Sequence, residues 1–279
     1  MRLLTYLTLT ILAFFYYYPI IVIVLEGFDA DISPLLAPGI RLIGGVPYYS
    51  GGFTPSLVYY VDMFTTQSFQ RLIINSLLIG VGSTALALLV GLFAAYGLTF
   101  YFKQMSGKYD YIMLVMRSVP PFLLIIPLLL TLSGLGMWDT YPGMILAYLI
   151  LNAPIAYLIM RSLLAEMPRD LVDSAMVMGC RPLTAVVKVV VPVLIPSILV
   201  SVVFMFVLTW NEFLLASVLT GPSARTVSVG VWSGVGEQIG TFRTVEFEAQ
   251  AAAGTVALIP ASLLILLIRR RLVRLFTFS

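Results

Sequence analysis

Histidine is absent from the 279 residues, cysteine occurs once, and charged residues make up only 10% of the chain. Without histidine, the usual general base near neutral pH and the commonest metal ligand are missing. A lone Cys180 excludes an intrachain disulfide, a Cys-rich zinc site and a CxxC redox pair. Globular domains carry about 25% Asp, Glu, Lys and Arg, so the charge needed to cover a water-facing surface is also missing. No GxxxxGK[ST] phosphate loop exists: Gly107-Lys108 is followed by Tyr109 and lacks the upstream glycine. Paired carboxylates and metal motifs are lacking within the apolar stretches, which argues against an intramembrane enzyme. What the chain has in abundance is apolar side chains, 60% of the total. It reads as an integral membrane protein.

A helix needs about 20 mostly apolar residues to cross about 30 Å of hydrocarbon. Six stretches qualify, at about 3–25, 72–102, 111–133, 140–160, 189–217 and 249–268. The first carries no small-residue cleavage signal after it and reads as a retained anchor. The third contains Arg117, which either snorkels towards the headgroups or pairs with a carboxylate in the bundle. With the N-terminus inside, eleven Lys and Arg fall on the cytoplasmic side, among them Lys103, Lys108, Arg161, Arg181, Lys188 and Arg269 to Arg271. Only Arg41, Arg71, Arg225 and Arg243 fall outside. That asymmetry places both termini in the cytoplasm.

The cytoplasmic connection 161–188 is the most informative part of the chain. EMPRDLVDSAMVMGCRPLTAVVKVVVP reads as two short helices joined at a glycine. Pro168 suits a first turn, and Asp170 complements the positive helix end. Gly179 stands where the first helix should stop, and Pro182 opens a second. Leu183, Val186, Val187, Val190 and Val191 follow the spacing of one buried helical face. The expected product is a bent elbow lying beside the membrane. Such an elbow either docks by its side-chain knobs in the groove of another protein or rests on lipid headgroups.

These residues resemble a known family. DLVDSAMVMGCRPLTAVVKVVVPVLIP is similar to the "EAA" loop of ABC importer permeases, a pattern of Glu-Ala-Ala, three residues, Gly, a hydrophobic helix and a closing Pro. Asp173, Ser174 and Ala175 stand at the Glu-Ala-Ala positions, Gly179 at the glycine, and Pro192 and Pro196 near the end. Asp173 is one methylene shorter than Glu, Ser174 replaces the first Ala, and Met178 stands where an Asp often precedes the glycine. Asn75-Ser76, Pro120, Pro121 and Pro127, LGMWDTYPGMILAY, TWNEFLLASVLT, ARTVSVGV and the basic end RRRLVRLF extend the resemblance over about residues 65–275. It is closest to the G-type membrane subunit of maltose-like importers.

The resemblance implies an all-α, six-span permease of the type I importer fold in the cell membrane. It implies a second, similar permease subunit and two ATP-hydrolysing subunits that bind ATP and Mg, with no cofactor in this chain and no nucleic acid. An extracytoplasmic binding protein would deliver a sugar. By the same resemblance Asp173, Ser174, Ala175 and Gly179 would couple to the ATPase, and Trp232, Gly236 and Gly240 would meet the binding protein. A carboxylate at membrane depth is costly and faces a cavity or a partner. Asn211 and Glu212 therefore line the pathway or hold a break in the helix, or else Glu212 reaches interfacial water with Trp210 as a belt residue. Tyr148 and Asn152, one turn apart, either face a cavity or join helices.

Two alternatives remain at this level: an importer permease for another solute, and an ion-coupled secondary transporter. The latter would be expected to show inverted repeats and midplane carboxylates, and neither is evident.

Overall fold

The computed structural model describes residues 2–28, 41–43, 46–48, 57–65, 67–232 and 247–276. These fall into two compact units. The first comprises Met1–Ile74 with Val227–Pro260, the second Asn75–Thr226 with Ala261–Ser279.

In the first unit, α1 (Arg2–Gly27) is uncharged from Leu3 to Leu25, and its residues 5–21 are all exposed. A small antiparallel hairpin pairs β1 (Arg41–Ile43) with β2 (Val46–Tyr48). Next come α2 (Val58–Thr65), the start of α3 (Gln67–Phe100), α11 (Val227–Trp232) and the first part of α12 (Phe247–Phe276). Aromatic pairs and small residues hold this unit. Phe28 lies 4.9 Å from Tyr60, Phe64 meets Phe69 edge-on, and Ala251, Ala252 and Ala253 are buried. Where lipid is as apolar as the side chains, such close packing replaces the hydrophobic effect as the adhesive.

The second unit holds the rest of α3, then α4 (Lys103–Ser118), α5 (Phe122–Gly134) and α6 (Tyr141–Glu166). After these come α7 (Arg169–Val177), α8 (Pro182–Ala185), a π-helical turn at Val186–Val190, α9 (Val191–Trp210) and α10 (Leu214–Leu219). Thr140 starts α6: its hydroxyl accepts from Gly143 N at 3.2 Å, with Pro142 in the first turn. One core joins α3, α6, the elbow and α9, through Leu88, Ala95, Ala156, Met160, Val172, Val186, Val190 and Met205. At Gly91, a methyl group would lie 2.8 Å from the backbone of Ala156 and Tyr157, so α3 and α6 touch backbone to backbone. Gly91→Val should therefore force these helices apart at a cost of about 2 kcal/mol or more. A melting temperature in detergent equal to that of the parent protein would refute this contact.

The helices are those the apolar pattern foretells, with three differences. Among the described residues, five helices are long and apolar enough to cross a membrane. The third expected crossing, 111–133, falls on the pair α4 and α5, which is bent by 93° and brings the number to six if the pair is one broken span. Val119 is extended (φ −67°, ψ 122°) because the residue before a proline is barred from the helical region, and Pro120-Pro121 supplies no backbone N–H.

The second elbow helix is not a separate piece lying beside the membrane. Pro182–Trp210 is one continuous 29-residue apolar helix. Its buried face also differs from the expected one. Ala185, Val186 and Val190 are buried, whereas Leu183 and Val187 are exposed. The π-helical turn changes the spacing there. Pro192 cannot return an N–H to the carbonyl of Lys188 and crowds it, and a widened turn accommodates that.

Finally, the fifth span stops at Trp210 rather than running on to residue 217.

Candidate functional site

Glu212 ends that helix. One carboxylate oxygen accepts from Leu215 N at 2.8 Å, the other from Ala216 N at 3.2 Å. These are the orphan donors at the start of α10, so the side chain caps the short helix. Tyr148 on α6 is buried, and its hydroxyl donates to the same carboxylate at 2.9 Å. One turn further along α6, the amide of Asn152 donates to Thr209 Oγ1 at 3.0 Å, and that hydroxyl donates back to Met205 O. Tyr148 and Asn152 are therefore buried struts between α6 and the end of α9. Trp210 is buried and stacks on Phe206 at 5.5 Å. It does not stand in an outward-facing aromatic belt. Asn211 is exposed, and its amide donates to Val207 O at 2.8 Å. The geometry shows Glu212 capping α10 just after the break that follows Trp210.

A second carboxylate, Asp139, grips the other end of α10. It lies in the connection between α5 and α6 and takes a left-handed backbone (φ 56°), which Asp tolerates better than most residues. Its N–H donates to Leu219 O at 3.2 Å, and Trp138 Nε1 donates to Val218 O at 3.2 Å. The carboxylate accepts from Gly221 N, Ser223 N and Ala224 N at 2.7, 3.0 and 2.8 Å. Asn75 on α3 donates to Ser223 O and Arg225 O, and Tyr141 donates to Asn75 Oδ1 at 2.7 Å. The loop after α10 is thus stapled to α3, α5 and α6 by one aspartate and one asparagine. The sequence quoted Asn75 and Asp139 without giving either this job. The available signal was a lone Asp directly before a Thr-Tyr-Pro helix start.

Partial burial raises the pKa of Asp139, but the backbone N–H groups of Ala224, Ser223 and Gly221 outweigh it and hold the group below the ordinary carboxylate range. A folded pKa below the unfolded value of about 3.9 means that the stabilisation is fully present above that value. It is lost as the pH falls through the folded pKa. Melting temperature should therefore fall more steeply below about pH 4 in the parent protein than in Asp139→Asn, which starts lower. Parallel curves for the two proteins would exclude the clamp as an ionised one.

On the opposite side, α7 ends in a hydrogen-bonded reversal. Cys180 N donates to Ala175 O and Gly179 N to Met176 O, both at 3.0 Å, while Gly179 takes φ +87°. That is a Schellman closure, and glycine satisfies its left-handed position without steric penalty. Val172 and Ala175 are buried against the unit, and Asp173, Ser174 and Gly179 are exposed. Ala175 therefore packs the elbow and does not form its surface. Among the described large apolar side chains the most exposed are Val177 at 89% and Met178 at 85%, neither of which the sequence reading gave a role. They form the apolar tip of the bend. Trp232 ends α11 with its side chain 63% exposed. Gly236 and Gly240 lie outside the described residues.

Comparison with known proteins follows the same outline. The chain is 31% identical to the sulfoquinovosyl glycerol transport system permease protein SmoH of Agrobacterium fabrum, with 78% of this chain and 75% of that protein covered. It is 31% identical to the trehalose transport system permease protein SugB of Mycobacterium tuberculosis, covering 80% of this chain and 82% of that one. In fold it is similar to a chain from a crystal structure of a bacterial ABC transporter involved in the import of the acidic polysaccharide alginate. There the TM-score is 0.75 at 15% identity, over 96% of this chain and 95% of that one. Residues 87–277 match the family described as "Binding-protein-dependent transport system inner membrane component". That match covers more than half of the sequence, and the chain belongs to this family of membrane permeases.

Proposed function

We propose that this permease forms one half of the translocation pathway of an ATP-driven importer, with a sugar or short oligosaccharide as its solute. The observation that carries the reading is the elbow. A short helix, closed at Gly179 and tipped by Val177 and Met178, is joined through the bend to the continuous helix Pro182–Trp210 and leads on its other side into α6. A partner that grips the tip moves two spans at once. The sugar assignment rests on relatives whose transport names are those of trehalose and sulfoquinovosyl glycerol.

In this reading the tip, with Asp173 and Ser174 beside it, docks in a groove of one of two ATPase subunits, which hold the ATP and Mg. Both termini and the elbow lie in the cytoplasm, as the distribution of Lys and Arg requires. A second permease subunit supplies the other half of the pathway, and the exposed apolar α1 and α5 meet it or lipid. Outside the membrane, Trp232 and the segment through Gly236 and Gly240 meet an extracytoplasmic binding protein. Glu212, Tyr148, Asn152, Trp210 and Asn211 hold the broken helix that gates the path.

Purification of the tagged chain in mild detergent should bring down an ATPase and a second permease. Vesicles containing the complex and its binding protein should take up at least one of radiolabelled glucose, maltose or trehalose only when MgATP is supplied. Uptake of such a sugar without any ATPase subunit would overturn the proposal.

A further inference from the structure

Just before the elbow, α6 carries two polar side chains one turn apart, Tyr157 and Arg161. Both reach Asp110 on α4. The Tyr157 hydroxyl donates to Asp110 Oδ1, and Arg161 Nε lies 3.5 Å from the same oxygen. Arg161 Nη1 also donates to Thr99 Oγ1 on α3 at 3.0 Å, and that hydroxyl in turn donates to Ala95 O. Four side chains from three helices thus share one half-buried cluster, and an ion pair there is costly to leave half-made. By contrast, Lys103, Lys108 and Arg117, the cations of α4 itself, are exposed.

The placement matters mechanically. The helices α4 and α5 meet at the 93° Pro120-Pro121 bend. The far end of α5 joins the start of α6 through the loop containing Asp139. The Asp110–Arg161 contact joins the end of α6 back to α4 and closes a triangle. Most of α4 is exposed, and within it only Ser106 is buried, with Asp110 and Met113 partly so. α4 packs along α6, with Met113 against the shared core, and the cluster is the polar and charged part of that contact.

We infer that Asp110, Arg161, Thr99 and Tyr157 form a latch that makes α4, α5 and α6 move as one rigid brace, so that a pull on the elbow reaches the outer loop clamped by Asp139. Opening the latch lets α6 swing with the elbow while α4 and α5 hinge at the two prolines. Less of the motor's movement then reaches the loop clamped by Asp139, and turnover is poorly coupled to uptake. This rests on the importer reading above.

The test uses the complete complex in vesicles, with permeases, ATPase subunits and binding protein. Two rates are measured per mole of complex. One is MgATP hydrolysis without binding protein; the other is MgATP-driven uptake of whichever of glucose, maltose or trehalose the parent complex transports. Asp110→Asn and Arg161→Met should each raise hydrolysis about 5-fold and lower uptake about 10-fold. The exchanged pair Asp110→Arg with Arg161→Asp should recover at least half of the parent's uptake. Thr99→Val, which leaves no charge unpaired, should shift both rates about 2-fold and serves if a charged variant fails to assemble. A purely structural role would lower both rates together, and that outcome overturns the latch. So do single variants with the parent's two rates. If the parent complex itself neither hydrolyses ATP nor takes up sugar, the importer reading fails and the latch falls with it.

Discussion

Replacing Val177 and Met178 together with aspartate should abolish ATP-driven uptake and strip the ATPase from the purified permease. Both side chains stand almost fully exposed at the tip of the elbow. They make no contribution to the core formed by Val172, Val186 and Val190, so the exchange leaves folding within about 0.5 kcal/mol. Their loss is felt only where a partner buries them. Each buried methylene contributes about 0.8 kcal/mol, and each carboxylate forced into an apolar groove adds a desolvation penalty of several kcal/mol. A combined loss of about 4 kcal/mol weakens association about 1000-fold. Two measurements check this: the amount of permease in the membrane, expected to be unchanged, and the ATPase retained after purification, expected to be absent. An ATPase retained in normal amount would show that the tip is not the docking surface.

Glu212→Ala should have the second largest effect, at the opposite end of the same helix. It removes the cap of α10 and leaves the buried Tyr148 hydroxyl without its carboxylate acceptor. A hydrogen bond to a charged group contributes about 1.5–3 kcal/mol, and a buried donor left unpaired costs about 1–3 kcal/mol. The break between Trp210 and Leu214 should then lose its fixed angle. Uptake is expected to fall about 30-fold while the ATPase stays bound. Glu212→Gln, which retains one acceptor oxygen, should fall about 5-fold. Uptake equal to that of the parent in Glu212→Ala would remove the side chain from the gate and leave α10 without a role in it.

Much of this arrangement is written in local sequence, and what is not has physical reasons. Apolar runs long enough to cross a bilayer identify α1, α3, α6, α9 and α12, because length and hydropathy alone set that requirement. Gly179 is readable as a helix stop because so few residues tolerate its backbone angle. Hydropathy says nothing about direction, however. The run 111–133 is as apolar as a straight span, yet the adjacent prolines at 120 and 121 turn it through 93°.

The same limit explains Leu183 and Val187. A periodicity of 3.6 assumes an unbroken helix, and the π-helical turn at Val186–Val190 breaks that spacing at Val187 and just after Leu183. Asp139 is harder still. Its three backbone partners lie 82 to 85 residues away, and no pattern of neighbours reveals a contact made only by folding. Tyr148 and Asn152 show the reverse case. Their shared face was legible, but not whether that face met a cavity or another helix.

The central claim concerns transmission: a motor outside this chain grips the bend at Gly179 and moves α6 and α9 through it. The most direct measurement is disulfide crosslinking from Met178→Cys, in a Cys180→Ser background, to a single cysteine placed in the groove of the ATPase subunit, with and without ATP. The account predicts a crosslink in both states and loss of ATP-driven uptake once it forms, with uptake restored on reduction. A crosslink in neither state, or full uptake with the crosslink in place, would contradict it.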